Sequence, residues 1–558
     1  VTSPAPTSKR GPALPSLQSL RDNEASVIFN MNLSINQDEA LAKEFIRAVK
    51  TRPPRETLRC FTLAILLSIA KSPRLEGEVF GLLKTVLSEA IKYADRRVSP
   101  WIESVASNTE IDESTTDTAE GKRKQVAEIA ELTVIQAAKL TASAWDFLTT
   151  PLLKFILHLV ETLGTKSAAI PVAKTVTGRL FELAKGVLGT VFRNSQSLIR
   201  GLVIDSICSR IVSQDDFSPL FVAILDTLIQ NFTRDVQSFS GKIRTVIECL
   251  SRLPPTTVAS FLAALQPLLV VERSLLDVAV ISLRKALFNK EASGREAAVN
   301  GLCQLAKGSI TAMSTVSAPA APQQAVDGPS QWSNTQRSRA AETEMSMLIH
   351  EIFGLLHRAL SQQMTVRKRL YTELPSLIDQ APVLCPQIFD LLYPHLQQYC
   401  EQDKEKQPVI HIKECLSGTS LDEPLPQLIS CIGHLAIKLD EEKAIPLKSE
   451  LLELINRTKE SVLESFDLAQ SDDEEGPSPV LKTQCTLLQN TFESMIEVVV
   501  SIDHDVSPAS GETILGLFAK IGQVTSLITP QKKDKKGKSK TSTAPAYTSI
   551  MSSRSIAL

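Results

Sequence analysis

Histidine and cysteine, the residues that most often carry chemistry, are scattered along this 558-residue sequence. The nine cysteines contain no C-x-x-C pair, so the sequence has neither a zinc ribbon nor a dithiol redox motif. His350-Glu351 begins like the zinc-protease motif H-E-x-x-H, but Gly354 stands where the second histidine is required. His350 and His357 share a predicted helix face about 10 Å apart, too far for one metal ion without further ligands. We therefore expect no metal site.

Two short segments end like a phosphate-binding loop, at Gly164–Ser167 and Gly537–Ser539. Neither has the first glycine of G-x-x-x-x-G-K-[ST], and neither follows a predicted strand. The sequence also lacks a nucleophile elbow and a dinucleotide-binding fingerprint. We expect no cofactor and no enzymatic activity in this stretch.

One lysine, Lys285, has an unusual predicted environment. It lies on a helix predicted from about 273 to 288, whose core stripe contains four aliphatic residues: Leu276, Val280, Leu283 and Leu287. At 100° per residue, Lys285 points about 170° away from the mean direction of that stripe. Its neighbours on that far side are nevertheless apolar: Val278, Ile281 and Phe288. A partner covering this face and a lysine that snorkels out of a packed position both account for the pattern.

Two Ser/Thr-Gln pairs lie five residues apart, at Ser330 and Thr335. Such pairs are the short targets of DNA-damage-activated kinases, although dipeptides this short also occur by chance. The surrounding segment, 309–339, is rich in Ala, Pro, Ser and Gln and is predicted to be a flexible connection. Phosphorylation there adds about −1.5 to −2 charge per site.

Two basic clusters are candidates for contacts with nucleic-acid phosphates. Arg367, Lys368 and Arg369 fall on a predicted helix, where a solvated face is the alternative. The run Gln531–Lys540 holds six lysines and one aspartate. It fits a phosphate contact, a nuclear-localisation patch or a solvated linker.

Composition and periodicity predict an all-α protein. The 60 basic and 62 acidic side chains nearly cancel, which argues against a strongly basic nucleic-acid binder, while 43% hydrophobic residues suffice for real cores. Apolar residues recur at helical spacing, for example at Val79, Leu83, Val86 and Ala90 and at Met345, Leu348, Ile349, Ile352, Leu356 and Leu360. Consecutive amphipathic helices with short turns usually stack as helical hairpins in an α-solenoid. No apolar run reaches the ~18–20 residues of a membrane span, so we expect no membrane association.

Several blocks of this sequence resemble the Fanconi anaemia group I family. The longest is LPPTTVASFLAALQPLLVVERSLLDVAVISLRKALFNKEASGREAAVNGLCQLAK (Leu253–Lys307), followed by LHRALSQQMTVRKRLY (Leu356–Tyr371), SLDEPLPQLISCIGHLA (Ser420–Ala436) and ESVLESFDL (Glu460–Leu468). The resemblance runs in order from about 25 to 550 and covers roughly the middle two-fifths of the family's length. Because the chain also begins with Val1 rather than methionine, we expect it to be a piece of a longer protein.

The resemblance implies α-solenoid segments that alternate with helical domains. The implied organisation is a loop or partial helix (1–24), a first helical domain (25–107), an acidic linker (108–122), a second α-solenoid (123–308), a flexible Ser/Thr-Gln linker (309–341), a second helical domain (342–528), and a basic linker with the start of a further solenoid (529–558).

The resemblance also implies a function: a non-enzymatic nuclear scaffold of DNA interstrand-crosslink repair, recruited to chromatin on damage. Its implied partners are the group D-two paralogue, double-stranded or branched DNA, the Fanconi core ubiquitin ligase with ubiquitin, and a DNA-damage-activated kinase. Lys285, in the motif LRKALF, is the implied ubiquitin acceptor, and Ser330 and Thr335 occupy the place of the family's phosphorylation cluster. A generic α-solenoid adaptor of the transport or cohesion type is the alternative.

Overall fold

In the computed structural model, helices joined by short turns make up almost all of the described chain. The structure describes residues 16–52, 58–95, 113–141, 145–163, 171, 175–213, 216–317, 330–401, 403, 406–466, 468, 478–503 and 507–528. The predicted all-α class is confirmed. The chain divides into two compact units, Val1–Val246 with Pro267–Glu272, and Ile247–Gln266 with Arg273–Leu558.

The first unit contains nine of the described helices: α1 (Leu17–Gln37), α2 (Glu39–Lys50), α3 (Cys60–Ile69), α4 (Glu76–Asp95), α5 (Glu113–Leu140), α6 (Thr149–Leu163), α7 (Val176–Asn194), α8 (Ser197–Val212) and α9 (Ser218–Gln237). Two more, α10 (Ser240–Glu248) and α11 (Pro255–Val271), contribute residues to both units. Short 3-10 turns lie at Asp146–Leu148 and Leu250–Arg252.

The second unit contains the remaining described helices: α12 (Arg273–Leu287), α13 (Ala292–Ser317), α14 (Ser330–Leu360), α15 (Met364–Gln380), α16 (Cys385–Leu396), α17 (Leu425–Lys438), α18 (Glu441–Glu460), α19 (Pro479–Ile502) and α20 (Pro508–Ile528). Two further 3-10 turns are Pro382–Leu384 and Leu463–Phe466. A two-residue turn connects β1 (Leu416–Ser417) to β2 (Ser420–Leu421), which pair antiparallel. Gly418 in that turn has φ +65°, a left-handed conformation that favours glycine.

Local sequence explains why these helices begin and pack where they do. The Asp38 carboxylate caps α2 by accepting from the Ala40 N–H at 2.8 Å. The predicted stripe of α4 is buried, because Val79, Leu83 and Ala90 are each at most 1% exposed. The apolar helix α3 is buried in the first unit. Among the described residues, no helix has the length and apolar character needed to cross a membrane.

In the second unit, each helix of the main layer packs on another close to it along the chain. Helix α12 packs on α13, α13 on α15, α15 on α17, and α17 on α19, which in turn packs on α20. Helix α14 contacts α12, α13 and α15. This pattern is the one that stacked amphipathic helices produce when each buries its apolar stripe against its neighbours.

Two predicted linkers are more helical than expected. Helix α5 already begins at Glu113, inside the predicted acidic linker 108–122. Helix α13 runs to Ser317 and α14 begins at Ser330, so both ends of the predicted flexible linker 309–341 are helical. The helical parts, 113–122, 309–317 and 330–341, contain no proline, whereas three prolines lie within 318–329. Residues 108–112, 318–329 and the basic linker 529–558 lie outside the described part.

Candidate modification and docking site

Helix α12 buries one face and exposes the other. Its buried face packs on α13 and on the 3-10 turn Leu250–Arg252 through six residues: Leu275, Ala279, Val280, Leu283, Ala286 and Leu287. Leu276, predicted to belong to this core stripe, is instead partly exposed, and Leu275 and Ala279 take its place. The buried face of α12 is therefore rotated by a fraction of a turn from the face that the sequence predicts.

Lys285 lies on the exposed face of α12. In the described part of the chain, its amine has neither an ion-pair partner nor a hydrogen-bond acceptor. Ile281, one turn before it, is 47% exposed, and Phe288, three residues after it, is 58% exposed. Val278 adds partly exposed apolar surface two turns earlier. Lys285 thus has the predicted surroundings: its amine is accessible from solvent and has apolar side chains around it.

Two ion pairs hold α14 alongside α12. Arg284 pairs with Glu351, and Arg273 pairs with Glu344. All four side chains are about half exposed, and each such pair is worth at most about 1 kcal/mol. The pairs join both ends of α12 to α14, and Arg284 is the residue next to Lys285 in the sequence.

Arg295 of α13 holds the turn that follows Lys285 by hydrogen bonds to its backbone. This guanidinium is only 9% exposed and donates to the carbonyl oxygens of Asn289 at 2.6 Å and Lys290 at 3.2 Å. It also donates to the Gln363 side chain at 2.6 Å. A charged donor on these carbonyls restrains the backbone that carries Phe288 and Lys290. The turn after Lys285 is therefore held by hydrogen bonds to α13.

Ser330 and Thr335 lie in the first turns of α14, and their side chains lie outside the described part. Helix α14 has 31 residues, and Glu344 and Glu351 follow further along it. At 1.5 Å per residue, about 20–30 Å of helix separates Ser330 from these two glutamates. A single helix thus connects the two candidate phosphorylation sites to the helix that carries Lys285.

The structure contradicts a common phosphate-binding role for Arg367, Lys368 and Arg369. The Arg367 side chain is only 8% exposed and pairs with Asp422 at 3.0 Å and Glu423 at 3.2 Å. Arg369 donates to Asn300 at 2.7 Å and pairs with Glu373 at 2.8 Å. Lys368 is the exposed member of the three. On one helix, three consecutive side chains point in different directions, so they cannot share a solvent-facing surface.

Sequence reasoning missed the buried cluster around Glu423. This carboxylate is fully buried, and it accepts from the Tyr371 hydroxyl at 2.9 Å. His395 approaches it at 3.5 Å and Arg367 at 3.2 Å. Burial and the neighbouring Glu423 carboxylate hold the pKa of Tyr371 well above its usual value. The cluster ties α15 and α16 to the segment that leads into α17, which is a structural role.

The two histidines singled out in the sequence, His350 and His357, fall on the same helix, α14. His350 and His357 are both exposed on α14. Within the described ranges, no group of three or more His, Cys, Asp or Glu residues is arranged to hold a metal ion.

Three domain models of one family match the chain in succession. FANCI helical domain 1 matches residues 40–116, FANCI solenoid 2 matches 148–303, and FANCI helical domain 2 matches 323–521. The chain belongs to the Fanconi anaemia group I family. Helix α12 and Lys285 fall within the solenoid 2 match, and all of α14 falls within the helical domain 2 match. The domain boundaries predicted from sequence stay predictions.

Curated relatives in this family align along most of the chain. The Fanconi anemia group I protein of Gallus gallus is 26% identical over 567 residues, covering 94% of this chain and 40% of the relative. The Mus musculus homologue is 25% identical over 560 residues, covering 93% of this chain and 40% of the relative. The chain thus spans about two-fifths of the length of these relatives.

Comparison with solved structures gives only a weak likeness. Yeast importin-beta (Kap95p) is 9% identical, with a TM-score of 0.21 over 90% of this chain and 66% of that chain. A homology model of the AP-3 complex is 12% identical, with a TM-score of 0.27 over 91% of this chain and 81% of that chain. Scores this low support no conclusion about this chain.

Proposed function

We propose that this chain is the central part of a non-enzymatic scaffold for DNA interstrand-crosslink repair, and that Lys285 accepts ubiquitin. Membership of the Fanconi anaemia group I family supports the pathway. The observation that carries the site is the exposed amine of Lys285 within an apolar surround, on a helix whose other face packs on α13. The scaffold acts in the nucleus and joins chromatin when DNA is damaged.

The chemistry at Lys285 needs an accessible amine and little else from this chain. The neutral Nζ attacks the thioester carbonyl that joins ubiquitin to its conjugating enzyme. An isopeptide bond forms, the thioester C–S bond breaks, and the amine loses a proton as the thiol is released. The Fanconi core ligase would supply the orientation, while α12 presents the amine from a fixed helix.

The apolar residues around Lys285 are the surface on which the group D-two paralogue docks in this proposal. Ile281 and Phe288 expose large side chains that the chain's own core does not use. Burying them against a partner is favourable by about 25 cal/mol per Å² of apolar surface. Ubiquitin attached beside this interface would bridge the two proteins and oppose their opening around double-stranded or branched DNA.

Phosphorylation of Ser330 and Thr335 by a DNA-damage-activated kinase is proposed to regulate this interface. Ser330 is the first residue of α14, where a phosphate is favoured by the helix dipole, and Thr335 lies in the second turn. Helix α14 then reaches α12 through the pairs of Glu344 and Glu351 with Arg273 and Arg284. A tenfold shift in the bound population needs only about 1.4 kcal/mol.

Replacing Ser330 and Thr335 with alanine should lower damage-induced ubiquitination, and an unchanged level would reject this switch.

The function is tested in cells that express the complete protein with Lys285→Arg. We expect loss of the ubiquitinated form on immunoblots and increased killing by a DNA crosslinking agent. Lys290→Arg is the matched control, since Lys290 is also exposed and lies only five residues away. Equal behaviour of the two variants would contradict the proposal.

The docking surface is tested by co-purification with the group D-two paralogue. Ile281→Asp with Phe288→Asp should weaken the complex at least tenfold. Val383→Asp with Leu198→Asp is the control, because these side chains are also exposed, at 72% and 82%, but belong to the 3-10 turn Pro382–Leu384 and to α8. Absence of the paralogue from purifications of the unmodified protein would instead favour a generic α-solenoid adaptor.

A further inference from the structure

An open groove runs along α19 on the side that faces α15 and α17. Its volume is about 770 Å³. The walls include Thr372 and Pro375 from α15, His434 from α17, and Glu493 and Glu497 from α19. We call this concavity the α19 groove. It lies entirely within the second unit and on different helices from Lys285.

The α19 groove carries negative charge that the described chain does not neutralise. In the part of the chain that the structure describes, neither Glu493 nor Glu497 has a cationic partner. Burial, and then the Glu497 carboxylate, raise the pKa of Glu493. The imidazole of His434 is turned to Asp379 at 3.1 Å, an acid that also pairs with Lys438 at 3.3 Å. The two carboxylates therefore give the groove the charge that a cationic segment would complement.

The end of α20 lies beside the row of α19 side chains that leads into the groove. The Gln489 side chain donates to the Thr525 hydroxyl at 2.8 Å, and α20 ends three residues later, at Ile528. Gln489, Glu493 and Glu497 follow at intervals of four residues, so each is rotated by only about 40° from the one before. The chain that leaves α20 therefore emerges at one end of an acidic row.

The sequence that follows α20 has the complementary charge. Gln531–Lys540 contains six lysines and one aspartate, and only 529 and 530 separate it from the end of the helix. Ten extended residues span about 33–36 Å, whereas Gln489 and Glu497 lie about 12 Å apart along the helix axis. The segment is thus long enough to follow the row into the groove.

We propose that Gln531–Lys540 of this same chain occupies the α19 groove, with its lysine ammonium groups on Glu493 and Glu497. Individual ion pairs of this exposure are weak, so the same peptide added separately would bind poorly. A short tether raises the local concentration of the segment to about the millimolar range, which makes the bound state populated. The docked segment would have its lysines neutralised within the chain, so they would not be available to nucleic-acid phosphates.

Limited trypsin digestion of the complete protein tests this docking, because trypsin cleaves after lysines that are accessible. Glu493→Gln with Glu497→Gln should speed cleavage within 531–540 at least threefold. The matched control is Glu460→Gln with Glu464→Gln, an exposed pair with the same spacing that does not line the groove. Circular dichroism would establish that both variants keep their helix content. Equal cleavage rates in the unmodified protein and both variants would overturn the proposal.

A second measurement identifies the contact itself. A zero-length carbodiimide joins a carboxylate to an amine only when the two touch. In the unmodified protein we expect crosslinked peptides that join Glu493 or Glu497 to a lysine of 531–540. The proposal is overturned if those lysines crosslink only to other carboxylates. It is also overturned if duplex DNA protects 531–540 from trypsin equally in the groove variant, the control variant and the unmodified protein.

Discussion

Glu423 and Lys285 show two opposite uses of a charged side chain in this protein. Glu423 is fully buried and is held by Tyr371, Arg367 and His395. Lys285 stands in solvent with no partner among the described residues. A buried charge is tolerated only when it is paired, so Glu423 contributes to the structure, whereas an unpaired exposed amine remains available for chemistry.

Removing the Glu423 carboxylate should be strongly destabilising. Glu423→Ala leaves the buried Arg367 without one of its two acidic partners and the Tyr371 hydroxyl without its acceptor. We expect the free energy of unfolding to fall by about 3–5 kcal/mol in urea titrations. Glu414→Ala, at an exposed acid nearby in the sequence, should change it by less than about 0.5 kcal/mol. Similar losses in both variants would contradict the structural role of the cluster.

Buried thiols should make the fold sensitive to alkaline pH. Burial raises the pKa of Cys208, Cys303 and Cys400 from 9.0 to about 12. Their thiols stay protonated in the folded state above pH 9, while those of the unfolded chain ionise. The contribution of these thiols to the free energy of unfolding should therefore be constant below about pH 9. Between pH 9 and 12 it should fall by about 1.4 kcal/mol per pH unit for each thiol.

Urea titrations at several pH values check this alkaline dependence. Cys303→Ala removes one of the three thiols and should make the decline correspondingly less steep. A free energy of unfolding that stays level from pH 9 to 11, or an identical slope in the variant, would count against the burial of these thiols.

Single residues differ in how well their surroundings can be predicted. The face of α12 that carries Lys285 follows from helical periodicity, because its neighbours lie within seven residues of sequence. Arg367 meets Asp422 and Glu423 from 55 residues away or more, and no periodicity indicates that contact. The basic cluster was therefore interpreted as a surface, although its first member is buried.

At the scale of elements, α14 is the helix that would carry the proposed regulation to Lys285, because it pairs with α12 through Arg284 and Glu351. Arg284→Glu places like charges at its contact with Glu351. We expect it to reduce damage-induced ubiquitination of Lys285 by up to about fivefold, since an exposed pair is worth at most about 1 kcal/mol. Adding Glu351→Arg restores an opposite pair in reversed order and should recover ubiquitination. The fraction of ubiquitinated protein on immunoblots measures both effects.

The double variant also distinguishes two possible roles of Arg284: pairing with Glu351 of α14, and direct recognition by the ligase. If the ligase reads Arg284 directly, the double variant stays as poor as Arg284→Glu. That result would reject the proposed link through α14.

Helices α17 and α19 pack tightly against each other at Gly433. A Cβ atom there would lie 2.3 Å from Val498 Cγ2 and 3.2 Å from Val498 Cβ. Valine is stiff at χ1, so Gly433→Ala should cost about 1–3 kcal/mol of unfolding free energy. Gly354→Ala, in helix α14 with open space around it, should instead stabilise the protein by about 0.5–1 kcal/mol. Thermal unfolding of the two variants should therefore shift in opposite directions.

Helix existence could be predicted more reliably than helix ends. The stripes at Val79–Ala90 and Met345–Leu360 mark α4 and α14 because apolar residues recur every three or four positions. The starts of α5 and α14 were missed, since their first turns are polar and carry no such stripe. Polar composition alone does not distinguish a solvated helix from a loop.

At the scale of the whole molecule, three successive domain models of the Fanconi anaemia group I family match the chain. The chain spans about two-fifths of the length of its curated relatives. Short-range packing between helices close along the chain explains why composition and periodicity were enough to predict the all-α class. The α19 groove could not be predicted, because its walls come from α15, α17 and α19, more than 120 residues apart at the extremes.

The most direct measurement is a reconstituted ubiquitination of the complete protein, with the core ligase, the paralogue and DNA, followed by mass spectrometry of the tryptic peptides. The account predicts that the ubiquitin remnant is found on Lys285 and that Lys290 remains unmodified. A remnant confined to lysines other than Lys285 would contradict it.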